Sequence, residues 1–419
     1  MKYLFINSVA GSGSTGRIAA DECRRLQAEG HECVIAYGRW KSSCDDIQTV
    51  RIGTEFDYNM HGVLTRLFDM HGFGSKKATA EFLEWIKKYD PDIIWLHNIH
   101  GYYINIEMLF DYLRSCGKTI KWTLHDCWTF TGHCAYFTAA KCDQWKSHCS
   151  NCPQLNRYPK CSFIGNAEKN FERKRTAFTG IPNLTLITPS RWLKDMVKQS
   201  FLQEYPVEVV YNKIDTNAFK PTSSNFRSKY GLDGKIILLG VANVWEARKG
   251  LDDFYKLACM LDGSYAIILV GLSKKQIDMI PRLLNGIVRS EDNVNHSAVY
   301  TSESEKKFTE AKAFDKSERK SAAVAANADA MYKTVTGEDF KNSIGAEKNN
   351  VTIAKLICIE RTESQKELAA IYTAADLFLN PTYEDNYPTV NLEAQACGTP
   401  VITYDVGGAS ETLRWNEER

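Results

Sequence analysis

The chain lacks what several classes of protein require. No apolar run approaches the roughly 18–20 residues that cross a bilayer, so the sequence offers no membrane span. It has no charge excess either. With 52 basic and 51 acidic side chains the net charge is +1, and no global field favours nucleic acid or an anionic surface. No short internal repeat is visible. No Asp-x-Asp pair stands at a strand end, so no cradle for a catalytic divalent ion is expected. The N-terminal MKYLFINSVAGSGSTG holds only a short apolar run before Gly and Ser. It reads as a first buried strand and its turn rather than a secretory leader, which makes a cytoplasmic location the expectation. Thirteen cysteines in a reducing compartment do not make a disulfide framework, so their clustering needs another account.

What is present is an α/β pattern. At 419 residues the chain has room for about two domains, each with its own core. KYLFINSV, CVIAYG, DIIWLH, IKWTLHD and LTLITPS are β-rich and almost continuously apolar, as in parallel strands buried on both faces. IAADECRRLQAEG and ATAEFLEWIKKY between them carry helical spacing, with Gly30 placed to stop the first. A second series follows: KIILLGVAN, YAIILVG, KLICIE, ADLFLNPT and TPVITY. The polar junction around residues 209–226 divides two doubly wound, Rossmann-like domains, 1–211 and 212–419. Residues 281–352 interrupt the second with a Lys-, Glu-, Ser- and Ala-rich insertion, expected to be partly helical and partly solvated. The chain stops soon after TPVITY, and the second domain is expected to be truncated at its C-terminus.

The stretch from Tyr383 to Gly408 carries the densest chemistry. Asp385 and Glu393 bracket a helix that Pro388 is suited to start, with free amides near Thr389 and Val390. Carboxylates accept bonds from hydroxyls, and free helix-start amides attract phosphate. Taken alone, such an acid pair is as readily a solvated helix acid and a dipole partner. Upstream, LHNIHGYY brings His97, Asn98 and His100 to the end of one strand, and TLHDCWTFTG brings His125 and Asp126 to the end of another. Both are at the carboxyl edge where open α/β sheets bind ligands. In AGSGSTGRI, Gly11, Gly13 and Gly16 let backbone amides approach a ligand, although the spacing is not a dinucleotide fingerprint. Arg248 and Lys249 sit before Gly250 at a strand-to-helix junction. Asn212 and Asp215, at the junction, read equally as turn residues.

The cysteines concentrate in the loop 127–161. Cys134, Cys142, Cys149 and Cys152 have spacing that suits a closed tetrahedral zinc site, with Cys149 and Cys152 as a Cys-x-x-Cys pair. Structural zinc is the favoured expectation, because the loop is long and reads as poor in core residues. Reduced, uncoordinated thiols and a redox pair are the alternatives. The helix AEKNFERKRTAF carries Lys169, Arg173, Lys174 and Arg175. It is best read as a solvated face, with contact to an anionic membrane as the sharper alternative.

Asp385, NYPTVNL, Glu393 and AQACGTPV together resemble the signature of the retaining glycosyltransferases of family 4, in which two acids precede Ala-x-Ala-x-Gly-x-Pro-Val. The resemblance spans most of the chain apart from 281–352, and the cysteine pattern is similar to that of bacterial polysaccharide-building members. It implies a GT-B fold, two Rossmann-like domains facing across a cleft, and no catalytic cofactor. The partners it implies are a nucleotide-sugar donor and a glycan or lipid-diphosphate-linked acceptor; the balanced charge speaks against nucleic acid, and the cationic helix AEKNFERKRTAF allows peripheral membrane association. It assigns Asp385 (or Glu384, by a loop shift) to donor-sugar hydroxyls and Glu393 to ribose hydroxyls. The Gly11–Gly16 loop, Thr389 and Val390 fall on the donor side. His125 falls at the reacting face, His97 and Asn98 on the acceptor side, and Arg248 and Lys249 on the leaving diphosphate. Asn243 stands where the family usually has a further Arg. The expected activity is sugar transfer with retention in cell-surface polysaccharide synthesis. Its rivals are a GT-B nucleotide-sugar epimerase and a non-enzymatic nucleotide-sugar or partner-binding protein.

Overall fold

The computed structural model describes residues 1–280, 312–313 and 354–415. The expected insertion 281–352 therefore lies outside the described residues, apart from Lys312 and Ala313. The chain divides into two compact units, Met1–Lys213 and Ile214–Arg419.

The first unit is built on seven parallel strands: β1 (Lys2–Asn7), β2 (Glu32–Tyr37), β3 (Gln48–Arg51), β4 (Ile93–Leu96), β5 (Thr119–Thr123), β6 (Leu184–Thr188) and β7 (Val207–Val209). Their order is β3-β2-β1-β4-β5-β6-β7. The continuous apolar runs are explained by burial on both faces. Leu4, Ile6, Val34 and Ala36 enter one core, while Phe5, Cys33 and Ile35 enter the other. Six helices of at least eight residues accompany the sheet: α1 (Gly13–Ala28), α2 (Glu55–Phe68), α3 (Lys76–Tyr89), α4 (Ile106–Ser115), α5 (Ala167–Phe178) and α6 (Arg191–Lys198). Local chemistry fixes their starts. Thr54 and Asp57 form a reciprocal capping box on α2, Asn105 accepts from the Met108 amide on α4, and Ser190 accepts from the Leu193 amide on α6.

The second unit repeats the plan with β8 (Ile236–Val241), β9 (Tyr265–Val270), β10 (Lys312–Ala313), β11 (Lys355–Ile359), β12 (Leu377–Asn380) and β13 (Val401–Thr403). The order is β10-β13-β12-β8-β9-β11, parallel except that β10 runs antiparallel to β13. Helices α7 (Phe226–Lys229), α8 (Leu251–Met260), α9 (Gln365–Ala374) and α10 (Thr389–Ala396) accompany it.

In each sheet the strand order reverses once, between β1 and β4 in the first and between β8 and β12 in the second. Loops leaving neighbouring strands on opposite sides of such a reversal splay apart and open a crevice at the carboxyl edge. The glycine turn follows β1 and the His97 loop follows β4. Arg248 and Lys249 follow β8, and the Asp385 loop follows β12.

Candidate functional site

In the first unit the strand-end loops carry glycines and imidazoles, with the Asp126 carboxylate among them. The glycine turn is bent: Gly11 has φ +72°, and a Cβ there would meet the Cys44 sulfur at 2.6 Å. Gly13 opens α1, whose N-cap Ser12 makes no side-chain cap bond and keeps a buried hydroxyl without a partner among the described residues. Gly16, within α1, packs against Val9 and the Gly11 backbone.

His97 Nδ1 and His125 Nε2 are 3.0 Å apart, and the rings stack. His97 is buried, and its Nε2 has no partner among the described residues. The bond is best satisfied with His97 donating, because the reverse would strand a buried N–H at Nε2. Burial and the neighbouring ring hold His97 well below the ordinary imidazole value. Burial, against the pull of Asp126, brings His125 down to about 4. Both rings are therefore neutral at neutral pH. His125 keeps partial exposure while His97 lies behind it, so His97 orients His125. The partly buried Asn98 is tied down through its backbone N–H, which donates to Asn7 Oδ1 at 3.1 Å.

The residues beside them form a second array. Asp126 Oδ2 pairs with His100 Nε2 at 3.0 Å, His100 Nδ1 meets the Tyr158 hydroxyl at 3.1 Å, and the Trp128 amide donates to Asp126 Oδ1 at 2.9 Å. Tyr158 escaped the sequence reading because it is 58 positions from His100.

The cysteine loop corrects the zinc expectation. Among the described residues, no group of three or more His, Cys, Asp or Glu side chains is placed to hold a metal ion. Cys134 and Cys152 hydrogen-bond to each other, and Cys149 accepts from the Gly132 amide, so Cys134, Cys142, Cys149 and Cys152 do not form a ligand set. Nor is the loop poor in core residues. Trp145 is buried, stacked on Phe137 and tilted against Phe130. His133 pairs with Asp69 at 2.5 Å in full burial. Lys174 donates to the carbonyls of Trp128 and Thr131 at 2.7 and 3.0 Å, and burial brings its ammonium down to about 7. Aromatic packing and a buried amine do the work that the spacing had assigned to a metal.

The same amine alters the picture of α5. Lys174 is buried and Arg173 forks onto Glu107 at 2.7 Å, so this helix does not present a continuous cationic face.

In the second unit the crevice is charged. The Lys249 ammonium donates to Asp385 Oδ2, and both side chains are largely buried. Burial alone would push Asp385 up. The charges of Lys249 and Arg248, with hydrogen bonds from the Lys249 ammonium and the Asn386 amide, outweigh it and hold the carboxyl below its usual range. Burial and the Arg248 charge lower the Lys249 ammonium, with Asp385 opposing. Arg248 is bound into the facing loop. Its guanidinium donates to Glu384 O at 3.0 Å, and its carbonyl accepts from Tyr383 N at 2.7 Å and Thr382 Oγ1 at 3.2 Å.

α10 begins at Thr389 after Pro388, and its first two residues are partly exposed. Ala394 and Cys397 face the core as expected, with Val390 against its margin. Glu393 is buried, not solvated, and accepts from the Tyr372 hydroxyl of α9 at 3.1 Å. The sequence reading missed Tyr372. Asp215 caps its own turn, accepting from Asn217 N at 2.8 Å. The structure thus brings Arg248, Lys249 and Asp385 together in one unit, and His97 and His125 in the other.

Comparison with known proteins follows the same division. Residues 15–218 match the Glycosyltransferase Family 4 domain, and residues 312–419 match Glycosyl transferases group 1. A protein of Escherichia coli (strain K12) named as a colanic acid biosynthesis glycosyl transferase is 27% identical over 211 residues, which is 46% of this chain and 50% of that protein. The chain thus matches about half the length of that relative. A D-inositol 3-phosphate glycosyltransferase of Rhodococcus erythropolis is 46% identical over 55 residues, 13% of this chain and 12% of its own length. Among solved structures, sucrose-phosphate synthase from Thermosynechococcus elongatus superposes with TM-score 0.57 at 14% identity, covering 97% of this chain and 82% of its own. The Anabaena Alr3699/HepE structure in complex with UDP gives 0.55 at 13% identity, covering 98% and 82%. Identities this low speak for the fold, and the fold is GT-B.

Proposed function

Because the chain belongs to the GT-B glycosyltransferases that carry family 4 and group 1 domains, we propose that it moves a sugar from a nucleotide-sugar donor to a glycan or lipid-linked acceptor in polysaccharide synthesis. The observation that carries this reading is the buried Lys249–Asp385 pair at the strand-order reversal of the second sheet, with Arg248 tied beside it. Two cations held there match a leaving nucleoside diphosphate, which gains negative charge as the glycosidic bond breaks. The amides at the start of α10 add a share for phosphate. Asp385 and Glu393 are acceptors for sugar and ribose hydroxyls. His125, in the first unit, offers a neutral imidazole to a sugar hydroxyl.

Transfer is proposed to proceed with retention. The acceptor hydroxyl attacks the anomeric carbon from the side the leaving group vacates, the carbon–oxygen bond to the diphosphate breaks, and the departing phosphate oxygen takes the acceptor's proton. No divalent ion enters this scheme, because cationic side chains take the charge.

The test is nucleotide release across common nucleotide sugars and glycan acceptors, with Glu393→Ala as control. Acceptor-dependent release that Glu393→Ala lowers is the expected result. Release without any acceptor would favour the epimerase, and binding without release from any donor would favour a binding protein. Product from a single turnover, with its anomeric configuration read by NMR, tests retention; an inverted product sinks that part.

A further inference from the structure

One guanidinium in the first unit is held in place without a polar partner. Arg39 follows β2 through Gly38, and its backbone amide donates to Ser8 O at 2.9 Å. The side chain crosses Gly101, where an added Cβ would meet its Cδ at 3.3 Å and its Nη1 at 3.4 Å. Its Nε is buried and finds no acceptor among the described residues, and Arg39 forms no ion pair with them. A buried donor left unpaired is costly, and an anion would satisfy it.

The surroundings of this group are aromatic. The guanidinium carbon lies 4.8 Å from the centre of the Trp40 ring, 5.4 Å from that of Tyr58 and 5.8 Å from that of Tyr102. Cation–π attraction fixes the guanidinium but leaves its N–H donors for a ligand. The rings are presented rather than packed away. Trp40 is 54% exposed, and Tyr58 and Tyr102 are half-buried. Trp40 and Tyr102 stand at φ +61° and +72°, left-handed backbone that bulky L residues rarely take. Two such residues around one guanidinium mark a place where the backbone accepts strain.

The aromatic run continues from Tyr102 to His71 at 4.7 Å between ring centres, and from His71 to Tyr158 at 5.5 Å. At Tyr158 the polarity is set. Asp126 accepts from His100 Nε2, so on the neutral ring Nδ1 accepts from the Tyr158 hydroxyl. That proton is committed inward, and the partly exposed Tyr158 offers its oxygen as an acceptor only.

We propose that Arg39, the rings around it and Tyr158 form a subsite for an acidic sugar, with Arg39 forking onto the sugar's carboxylate. A pyranose has one face of C–H groups, which suits the exposed Trp40 ring, and hydroxyls of the bound glycan can donate to the Tyr158 oxygen. The planar fork matches one carboxylate in shape and in charge. A phosphate dianion would bring a second charge that Arg39 alone does not balance. The role of the subsite rests on the glycosyltransferase reading. On that reading the acidic sugar belongs to the acceptor, because the cations for the leaving diphosphate are in the second unit.

The test measures binding to the full chain without a donor, by saturation-transfer NMR, using methyl glucuronide, methyl glucoside and glucose 6-phosphate. The glucuronide should bind about tenfold more tightly than the glucoside, and more tightly than the phosphate. Arg39→Gln should make glucuronide and glucoside alike, and Trp40→Ala should weaken both about fivefold. The melting temperature should stay at the wild-type value in both variants. Failure of the wild type to bind the glucuronide, or equal binding of glucuronide and glucoside, overturns the proposal without any variant. So does tighter binding of glucose 6-phosphate, or a folded Arg39→Gln protein that still prefers the glucuronide. Nucleotide release is read separately. Release with neutral acceptors alone sinks this inference and leaves the transfer reading intact. Arg39-dependent glucuronide binding with no release from any donor keeps the subsite and sinks the transfer reading.

Discussion

The two units share one strand plan and differ at the point where that plan opens. After β1, β4 and β5 stand glycines, the imidazoles of His97 and His125 that burial keeps neutral, and one carboxylate, Asp126, turned onto His100. After β8 and β12 stand an arginine and a lysine–aspartate pair. The topology determines where a ligand meets each sheet, while the side chains determine its charge. On the proposed assignment the first unit meets sugar hydroxyls and the second the phosphorylated part of the donor.

The largest effect expected from breaking this contrast is Lys249→Ala. Loss of the cation should cut kcat/KM for nucleotide release by about a hundredfold to a thousandfold. It also leaves Asp385 buried and unpaired, which costs about 3 kcal/mol or more of second-unit stability. The double variant Lys249→Met, Asp385→Asn should recover melting temperature without recovering activity. If both return, the pair is structural and the contrast fails.

Next in size is acid pH, which should strike the first unit. His61 and His125 both have folded values brought to about 4, mainly by burial. The ordinary value is 6.5. Below it the unfolded chain binds protons that the folded unit does not, so stability falls as pH drops from 6.5 towards 4. Each residue contributes about 3 kcal/mol over that window. A urea midpoint for the first unit that is flat between these values would refute the neutral assignment.

A smaller effect is expected from Tyr372→Phe. It removes one hydrogen bond to Glu393, worth about 1 kcal/mol, and should raise the donor KM by less than tenfold with kcat little changed. A fall in kcat alone would shift Glu393 from ribose binding to the reacting centre. The smallest effect is that of a chelator. Aromatic packing and Lys174 hold the cysteine loop, so EDTA should leave both the melting temperature and the release rate unchanged.

Much of the fold was legible because parallel strands buried on both faces are runs that can be seen in one dimension. All ten strands expected from such runs form. β3, β7 and β10 were missed: QTVR and VEV are short and half polar, and β10 has two residues. The placement of the candidate residues at strand ends was equally legible, since His97, His125, Lys249 and Asp385 each follow a recognisable run. What was not legible depends on partners remote in sequence. Tyr372 reaches Glu393 across 21 positions, and Tyr158 reaches His100 across 58. The zinc expectation failed for a related reason. Cysteine spacing is visible in a string, whereas the stacking of Trp145 on Phe137 and the insertion of Lys174 beneath the loop appear only in three dimensions.

One tie in the second unit limits how such a protein could be redesigned. The Arg248 carbonyl accepts from both Thr382 and Tyr383 while its guanidinium reaches Glu384 O, so loops 134 to 136 positions apart are stitched by a single residue. On the proposed assignment, one loop grips diphosphate and the other sugar. Altering 382–384 to admit a different sugar would shift the arginine that holds the phosphate. Donor choice and leaving-group stabilisation would then be inherited together, and a change of specificity would need a compensating change near Arg248.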